Sequence, residues 1–264
     1  MRKLIIFWIM MSVSTACYGG EEQPNPVFSI FDTFPYYWLE GDPENPRRKG
    51  LYTELVNLIA HEAGQDFTLR THPFARVLYS LKTGNTDFSM IALIDNKGRG
   101  VNVVAPLVCS SMILIPRKGS GIRTLKDIKG KRIAFTGRSV FEKSGYTKQD
   151  IIPVRLSQPR LYFSMMVTGR LDAFVMNEVM YYAYLQHLTQ ASDFPEDFLS
   201  YVGDPVRVTG YQLGLVVSQK SAYAHLVPRL TESVRRLHER GAIQETFRRY
   251  GSDLPVTCSG EAQE

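Results

Sequence analysis

The sequence has few cysteines, few tryptophans and no long apolar run beyond its first residues, and each shortage closes off a class of protein. Three cysteines in 264 residues are too few for a disulfide scaffold. After Val13 no stretch approaches the roughly 20 apolar residues that a membrane-spanning helix needs. Internal repeats and low-complexity tracts are absent. Motifs of catalysis are missing too. Gly130-Lys131 lacks the upstream glycine of a phosphate loop, no serine stands in a Gly-x-Ser-x-Gly elbow, and His61-Glu62 is not followed by the second histidine of a zinc helix. The five histidines, at 61, 72, 187, 225 and 238, have no metal-ligand spacing, so neither a metal nor a cofactor is expected. The formal charge of +5 is spread along the chain without a basic run, which argues against a nucleic-acid partner.

What is present starts at the N-terminus. Arg2 and Lys3 precede the apolar run Leu4 to Val13, which is too short to span a bilayer but fits the central region of a secretory signal. Residues 1–20 therefore read as a signal peptide, and its loss removes two cations and leaves a charge of +3. Two cleavage points are open. A cut after Gly19 or Gly20 discards Cys17, whereas a cut after Ala16 leaves Cys17 first, where it can carry a lipid. Cys109 and Cys258 remain as a pair, and an oxidising compartment such as the periplasm allows a disulfide that ties the tail to the body.

Helical and strand patterns alternate along the remaining residues, which predicts an α/β fold. Leu51, Leu55, Leu58 and Ile59 follow helical spacing up to a cap at Gly64. Phe67 to Arg70 and Phe88 to Leu93 read as strands around a helix over 74–81 that Gly84 closes. A second unit has strands at Lys131 to Phe135 and Leu171 to Val175. Its helices begin at Ser139, at Ser157 and at Asn177. Leu213 to Ser218 is a returning strand, and a long amphipathic helix through Leu226, Leu230, Val234 and Leu237 is expected to bend at Pro228 and stop at Gly241.

Several segments in order along the chain carry a resemblance. They are Phe31-Asp32-Thr33-Phe34-Pro35-Tyr36, Gly50-Leu51-Tyr52-Thr53-Glu54-Leu55, Pro73-Phe74-Ala75-Arg76 and Gly84-Asn85-Thr86-Asp87. Leu125 to Ala134, Gly169-Arg170-Leu171-Asp172-Ala173, and Gly241-Ala242-Ile243-Gln244 running to Tyr250-Gly251 complete the set. Together they resemble the amino-acid-type extracellular solute-binding proteins of ABC transporters (family 3), over about residues 27–251.

The resemblance implies the two-lobed type II periplasmic-binding-protein fold. Residues 21–114 plus 211–255 would form lobe one, residues 115–210 lobe two, and residues 256–264 a tail. Hinges would lie near Ile113 to Pro116 and Thr209 to Gln212. A small solute would sit between the lobes of a monomer and pass to a transporter permease. Family positions fall on Asp32, on Ile94, on Arg99 or Lys97 for the carboxylate-binding arginine, and on Asn177 for the ammonium-binding aspartate. Thr136, Arg138 and Ser139 fall at a helix N-terminus suited to an anion.

The residues themselves add an aromatic stretch, Phe31, Phe34, Tyr36, Tyr37 and Trp38, as a wall for a ring or cation, and Arg76 as a cleft cation. A neutral Asn177 fits a zwitterionic amino acid poorly, so the expected ligand is a small polar or aromatic solute. Two other readings stay open: an enzyme of the dehydratase type on the same scaffold, and a periplasmic sensory module.

Overall fold

The computed structural model describes residues 24–93, 100–135, 150–156, 160–188, 197–256 and 258. Its central feature is a mixed sheet of eight strands in the order β4-β1-β5-β10-β6-β9-β7-β8. These are β1 (Val27–Phe31), β4 (Thr68–His72), β5 (Phe88–Ala92), β6 (Val101–Pro116), β7 (Arg132–Phe135), β8 (Ile152–Arg155), β9 (Ala173–Asn177) and β10 (Val206–Ser218). A separate hairpin pairs β2 (Trp38–Glu40) with β3 (Arg47–Lys49).

Two strands are far longer than the rest, and they organise the molecule. β6 and β10 run antiparallel over most of their length, with irregularities at Arg207/Thr209, Leu213/Gly214 and Leu215/Val216. β5 pairs with the Leu213–Val217 end of β10, while β9 pairs with the Met112–Pro116 end of β6. Each long strand thus belongs at one end to the β4-β1-β5 group and at the other to the β9-β7-β8 group. The expected hinge segments both fall inside these strands, offset in register. Ile113 and Leu114 face Arg207 and Val206, whereas Thr209 to Gln212 face Met112 to Cys109.

The apolar side chains separate accordingly. One core gathers Phe28, Ile30, Leu55, Phe88, Leu215, Leu230 and Phe247. Two smaller clusters flank the other strands, one around Tyr162, Phe163, Phe174 and Phe198, the other around Leu114, Ile128, Ile133 and Val175. Helix α1 (Leu51–Ala63) shows why the first core forms: its apolar spacing buries Leu51, Leu55 and Ile59 completely, worth about 1.5–3 kcal/mol each. Gly64 closes it in the left-handed region at φ 56°, as its place after the periodic run predicts. Helix α2 (Phe74–Thr83) ends the same way at Gly84.

In the second group lie α3 (Arg160–Val167), α4 (Glu178–Leu188) and the short α5 (Phe198–Tyr201). Helix α4 serves both groups, because Val179 and Ala183 pack into the first core while Tyr181 packs into the second. The expected bend at Pro228 does not occur. A 3-10 turn over Ala224–Leu226 leads into α6 (Val227–Glu239), and Pro228 sits in its first turn, where a missing N–H costs nothing. Gly241 then starts α7 (Ala242–Arg249). No helix among the described residues is long and apolar enough to cross a membrane.

Two motif acids prove to be structural. Asp87 accepts the Val27 N–H at 2.8 Å and the Ser221 hydroxyl at 2.6 Å, tying β1 to the end of β10. Asp172 accepts from the Arg132 backbone N–H at 2.8 Å and from its guanidinium at 2.8 and 3.0 Å, tying β7 to β9. The Cys109 and Cys258 sulfurs are bonded, and the tail beside them is held by a hydrogen bond from Cys109 N–H to the Pro255 carbonyl at 2.7 Å.

Candidate functional site

The aromatic stretch after β1 is fixed by the helix that follows it. The first N–H groups of α1 have no partner inside the helix. Leu51 N–H donates instead to the Pro35 carbonyl at 2.9 Å and Tyr52 N–H to the Tyr36 carbonyl at 3.1 Å. Gly50 makes this approach possible, because a Cβ there would overlap the Tyr36 carbonyl. The Phe34-Pro35 peptide is cis. The Tyr36 and Tyr52 rings meet at 4.5 Å, and Phe31 packs against both.

This segment reaches across to β9 and α4. The Tyr36 hydroxyl donates to Asn177 Oδ1 at 3.1 Å, and the Phe34 ring lies 4.8 Å from that of Tyr184. Asn177 ends β9 and caps α4, since its Oδ1 also accepts the Val179 N–H at 2.9 Å and the Met180 N–H at 3.3 Å. From β10, Tyr211 joins the cluster and donates to Ser110 Oγ on β6 at 3.3 Å. Three phenols therefore converge beside the middle of the paired long strands, where Tyr211 stands opposite Ser110. Burial raises all three above the ordinary tyrosine range. Tyr52 and Tyr211 add to this for Tyr36, Tyr211 for Tyr52, and the Glu178 carboxylate for Tyr211. They stay protonated at any physiological pH, so they act as hydroxyl donors and acceptors and not as phenolates.

Beside the cluster opens a cleft of about 270 Å³ between the hairpin, α1, α4 and α7, with Trp38, Lys49, Glu54, Ala183, Gln186 and Arg249 among its walls. Its charges are matched, Glu40 with Lys49 at 3.8 Å and Glu54 with Arg249 at 2.7 Å. It offers a polar mouth without net charge. No group of metal-ligating side chains occurs among the described residues.

The sequence-derived candidates divide three ways. Phe34, Tyr36 and Asn177 come together at the junction, and Trp38 stands at its edge, its ring 5.2 Å from Phe34 and 6.2 Å from Tyr250. Asp32 and Arg76 are exposed, the first just past β1 and the second in the first turn of α2, and neither side chain has a partner among the described residues. Ile94, Lys97, Arg99, Thr136, Arg138 and Ser139 lie outside the described residues, so the expected carboxylate and anion positions have no structural account. Sequence reading missed Tyr52, Tyr211 and Ser110. Tyr52 hides inside a helical repeat of apolar residues, and Tyr211 lies in the half of β10 that shows no clear strand alternation.

Comparison with known proteins places the chain. The model of the family described as NMT1/THI5 like matches residues 78–241, more than half of the sequence. The chain belongs to that family. The arginine-binding extracellular protein ArtP of Bacillus subtilis is 27% identical over 116 residues, 43% of this chain and 44% of the relative. The chain thus matches less than half the length of that curated relative. Among solved structures, the arginine-, lysine-, histidine-binding protein ArtJ of Geobacillus stearothermophilus superposes with a TM-score of 0.65 at 14% identity, covering 87% of this chain and 96% of that one. The substrate-binding protein AbpA of Streptococcus pneumoniae, bound to L-arginine, gives 0.66 at 17% identity, covering 86% and 93%. A histidine kinase sensor domain with similarity to periplasmic binding proteins gives 0.68 at 19% identity, covering 89% and 98%. At these identities the structures establish the fold, which is the type II periplasmic-binding-protein fold expected from the sequence. The resemblance to the amino-acid-type solute-binding proteins holds in local sequence and in fold.

Proposed function

We propose that this chain is an exported solute-binding protein. Its lobes, residues 21–114 plus 211–255 and residues 115–210, close on a small polar or aromatic solute, which a membrane permease of an ABC transporter then receives. The observation that carries the reading is the antiparallel pair of strands β6 and β10, which runs through both apolar groups, with the tyrosine cluster beside its middle at Tyr211 and Ser110. A solute that touches both sides of such a junction favours the closed arrangement by its differential affinity. The relatives that bind arginine support the class of function, and the Asn177 cap argues against transferring their ligand unchanged. We assign no catalytic step, and we place the mature protein in the periplasm as a monomer.

The test is thermal unfolding of the purified chain against a metabolite library. A solute at one hundred times its Kd stabilises the native state by about 2.7 kcal/mol, or roughly 5–10 °C in Tm for a chain of this size. Hits are then followed by NMR for chemical change. A library without hits sinks the binding reading, and turnover of a hit moves it to an enzyme of the dehydratase type.

The sensor-domain neighbour favours a second reading, a ligand-sensing module that signals to a membrane kinase. Stimulation of a permease's ATPase by the loaded protein, and not of a kinase, separates the two.

A further inference from the structure

The tail beyond α7 meets the two long strands where they run without flanking strands, and this inference rests on the binding reading above. β5 pairs with β10 as far as Leu213, where Leu93 N–H reaches the Gln212 carbonyl at 2.7 Å, and β9 pairs with β6 from Met112 onward. Between those limits the sheet narrows, among the described residues, to two strands, with Ser110 and Ser111 of β6 opposite Tyr211 and Gly210 of β10. Register irregularities bracket this waist, at Arg207/Thr209 on one side and at Leu213/Gly214 on the other. Such irregularities bend a strand and disrupt its ladder locally. The tail is anchored in the first core by Leu254, which is 4% exposed. Past Leu254 it holds both strands. The Pro255 carbonyl accepts the Cys109 N–H at 2.7 Å, the Val256 carbonyl accepts from Gln212 Nε2 at 3.4 Å, and Cys258 is bonded to Cys109. Cys109 and Gln212 face each other in the register. The tail thus joins the first core to residues just beyond the Leu213/Gly214 irregularity, by a route independent of the ladder.

We infer that the C-terminal tail is a splint on the hinge. It makes the strands up to Cys109 and Gln212 one body with the first core, and it confines bending to residues 110–112 of β6 and 209–211 of β10. With the splint in place the unliganded chain has fewer open arrangements, so less conformational entropy is lost when the lobes close on a solute. The cross-link from Cys258 to Cys109 and the two tail hydrogen bonds act in the same direction, because each removes arrangements in which β6 and β10 bend at the Leu213/Gly214 step.

Hydrogen exchange and X-ray scattering without solute test the inference on three samples: the parent, a variant with Cys109→Ala and Cys258→Ala together, and the parent treated with dithiothreitol. The dithiol closes to its own cyclic disulfide as the two protein sulfurs become thiols, so the reduced parent keeps the test open should the double variant not fold. Cutting the cross-link should speed exchange by about tenfold or more over residues 107–112 and 208–214, leave β1 and β7 as in the parent, and enlarge the radius of gyration. Equal exchange at the waist before and after the cut overturns the inference. So does an acceleration spread evenly over β1 and β7, because the disulfide then stabilises the whole fold and braces no particular place. Faster waist exchange with an unchanged radius of gyration also overturns it, since the tail then orders the ladder without limiting the lobes. The binding reading is decided separately, by library hits on the intact parent, whatever the waist does.

Discussion

Asp87 and Asp172 stand in the two apolar groups of the molecule, and each carboxylate is filled by neighbouring donors. Asp87 is shared between Val27 and Ser221, and Asp172 is clasped by Arg132 through three bonds. At the junction between the groups a polar atom joins the two groups to each other. Asn177 Oδ1 caps α4 through the Val179 and Met180 N–H groups and also accepts the Tyr36 hydroxyl from the aromatic stretch. The difference separates two uses of polar atoms. Inside each lobe the two acids join neighbouring strands; at the junction one amide oxygen joins β9, α4 and the aromatic stretch. A motif residue is thus no more functional for being in a motif.

The sharpest way to break this contrast is to damage one lobe and see whether the junction fails with it. Phe28 is fully buried against Phe67 in the first core, and Phe28→Ala leaves a cavity that should cost about 3–5 kcal/mol in urea unfolding. A cost below about 1 kcal/mol would show that this core is not packed as described. A smaller loss is expected from Asp87→Ala, which strands the Val27 N–H and the Ser221 hydroxyl at about 1–3 kcal/mol, while solute affinity stays near the parent's. Loss of binding with unchanged stability would place Asp87 at the junction instead of inside a lobe.

How far the sequence could be read follows the same division. Helix α1 was legible to its last residue, because apolar spacing and a terminal glycine state its limits locally. The strand at Val101 to Leu107 and the Val206 to Gln212 half of β10 were not. Their pairing partners are distant in the chain, Val208 alone is buried in the β10 half, and the register is broken at Arg207/Thr209, Leu213/Gly214 and Leu215/Val216. Pro228 was read as a bend because the turn before it has helical spacing, and only the backbone shows that the helix begins there. At the site, Tyr36 and Asn177 were legible, whereas Tyr52 was read only as part of the Gly50 to Leu55 segment. Its neighbours come from the segment before the helix, whose Pro35 and Tyr36 carbonyls accept from the start of α1, a contact that no local pattern records.

Acid sharpens the comparison from the other lobe. The Arg132 guanidinium and the Arg132 backbone N–H hold the Asp172 carboxyl below its ordinary range, against a smaller opposing effect of burial. A depressed folded-state value means that the stabilisation is complete above the unfolded aspartate value of about 3.9 and is lost as pH falls through the lower folded value. Asp172→Asn should therefore flatten the acid limb of the stability curve below about pH 4 and leave solute affinity at neutral pH alone. An acid limb equally steep in parent and variant would mean that the Arg132 contact is not formed in solution. The junction phenols contribute nothing to this limb, because they are protonated in both states throughout the range.

The smallest effect is expected from Tyr36→Phe, and it bears most directly on the junction. The substitution keeps the ring against Phe31 and Tyr52 and deletes one hydrogen bond, that to Asn177 Oδ1 at 3.1 Å. Asn177 goes on capping α4 through Val179 and Met180, so global stability should fall by only about 0.5–1.5 kcal/mol. The hydroxyl is nevertheless the one direct hydrogen bond described between the aromatic stretch and β9. Its loss should shift the unliganded protein toward the open arrangement, read as a larger radius of gyration in X-ray scattering, with the solute restoring the compact form. A lost bond of this size changes an open-closed ratio by about two- to tenfold. If scattering curves of parent and variant coincide without solute, the closed arrangement owes nothing to Tyr36. The contact between Phe34 and Tyr184, or the packing of Val179 and Ala183 of α4 into the first core, must then hold the lobes together.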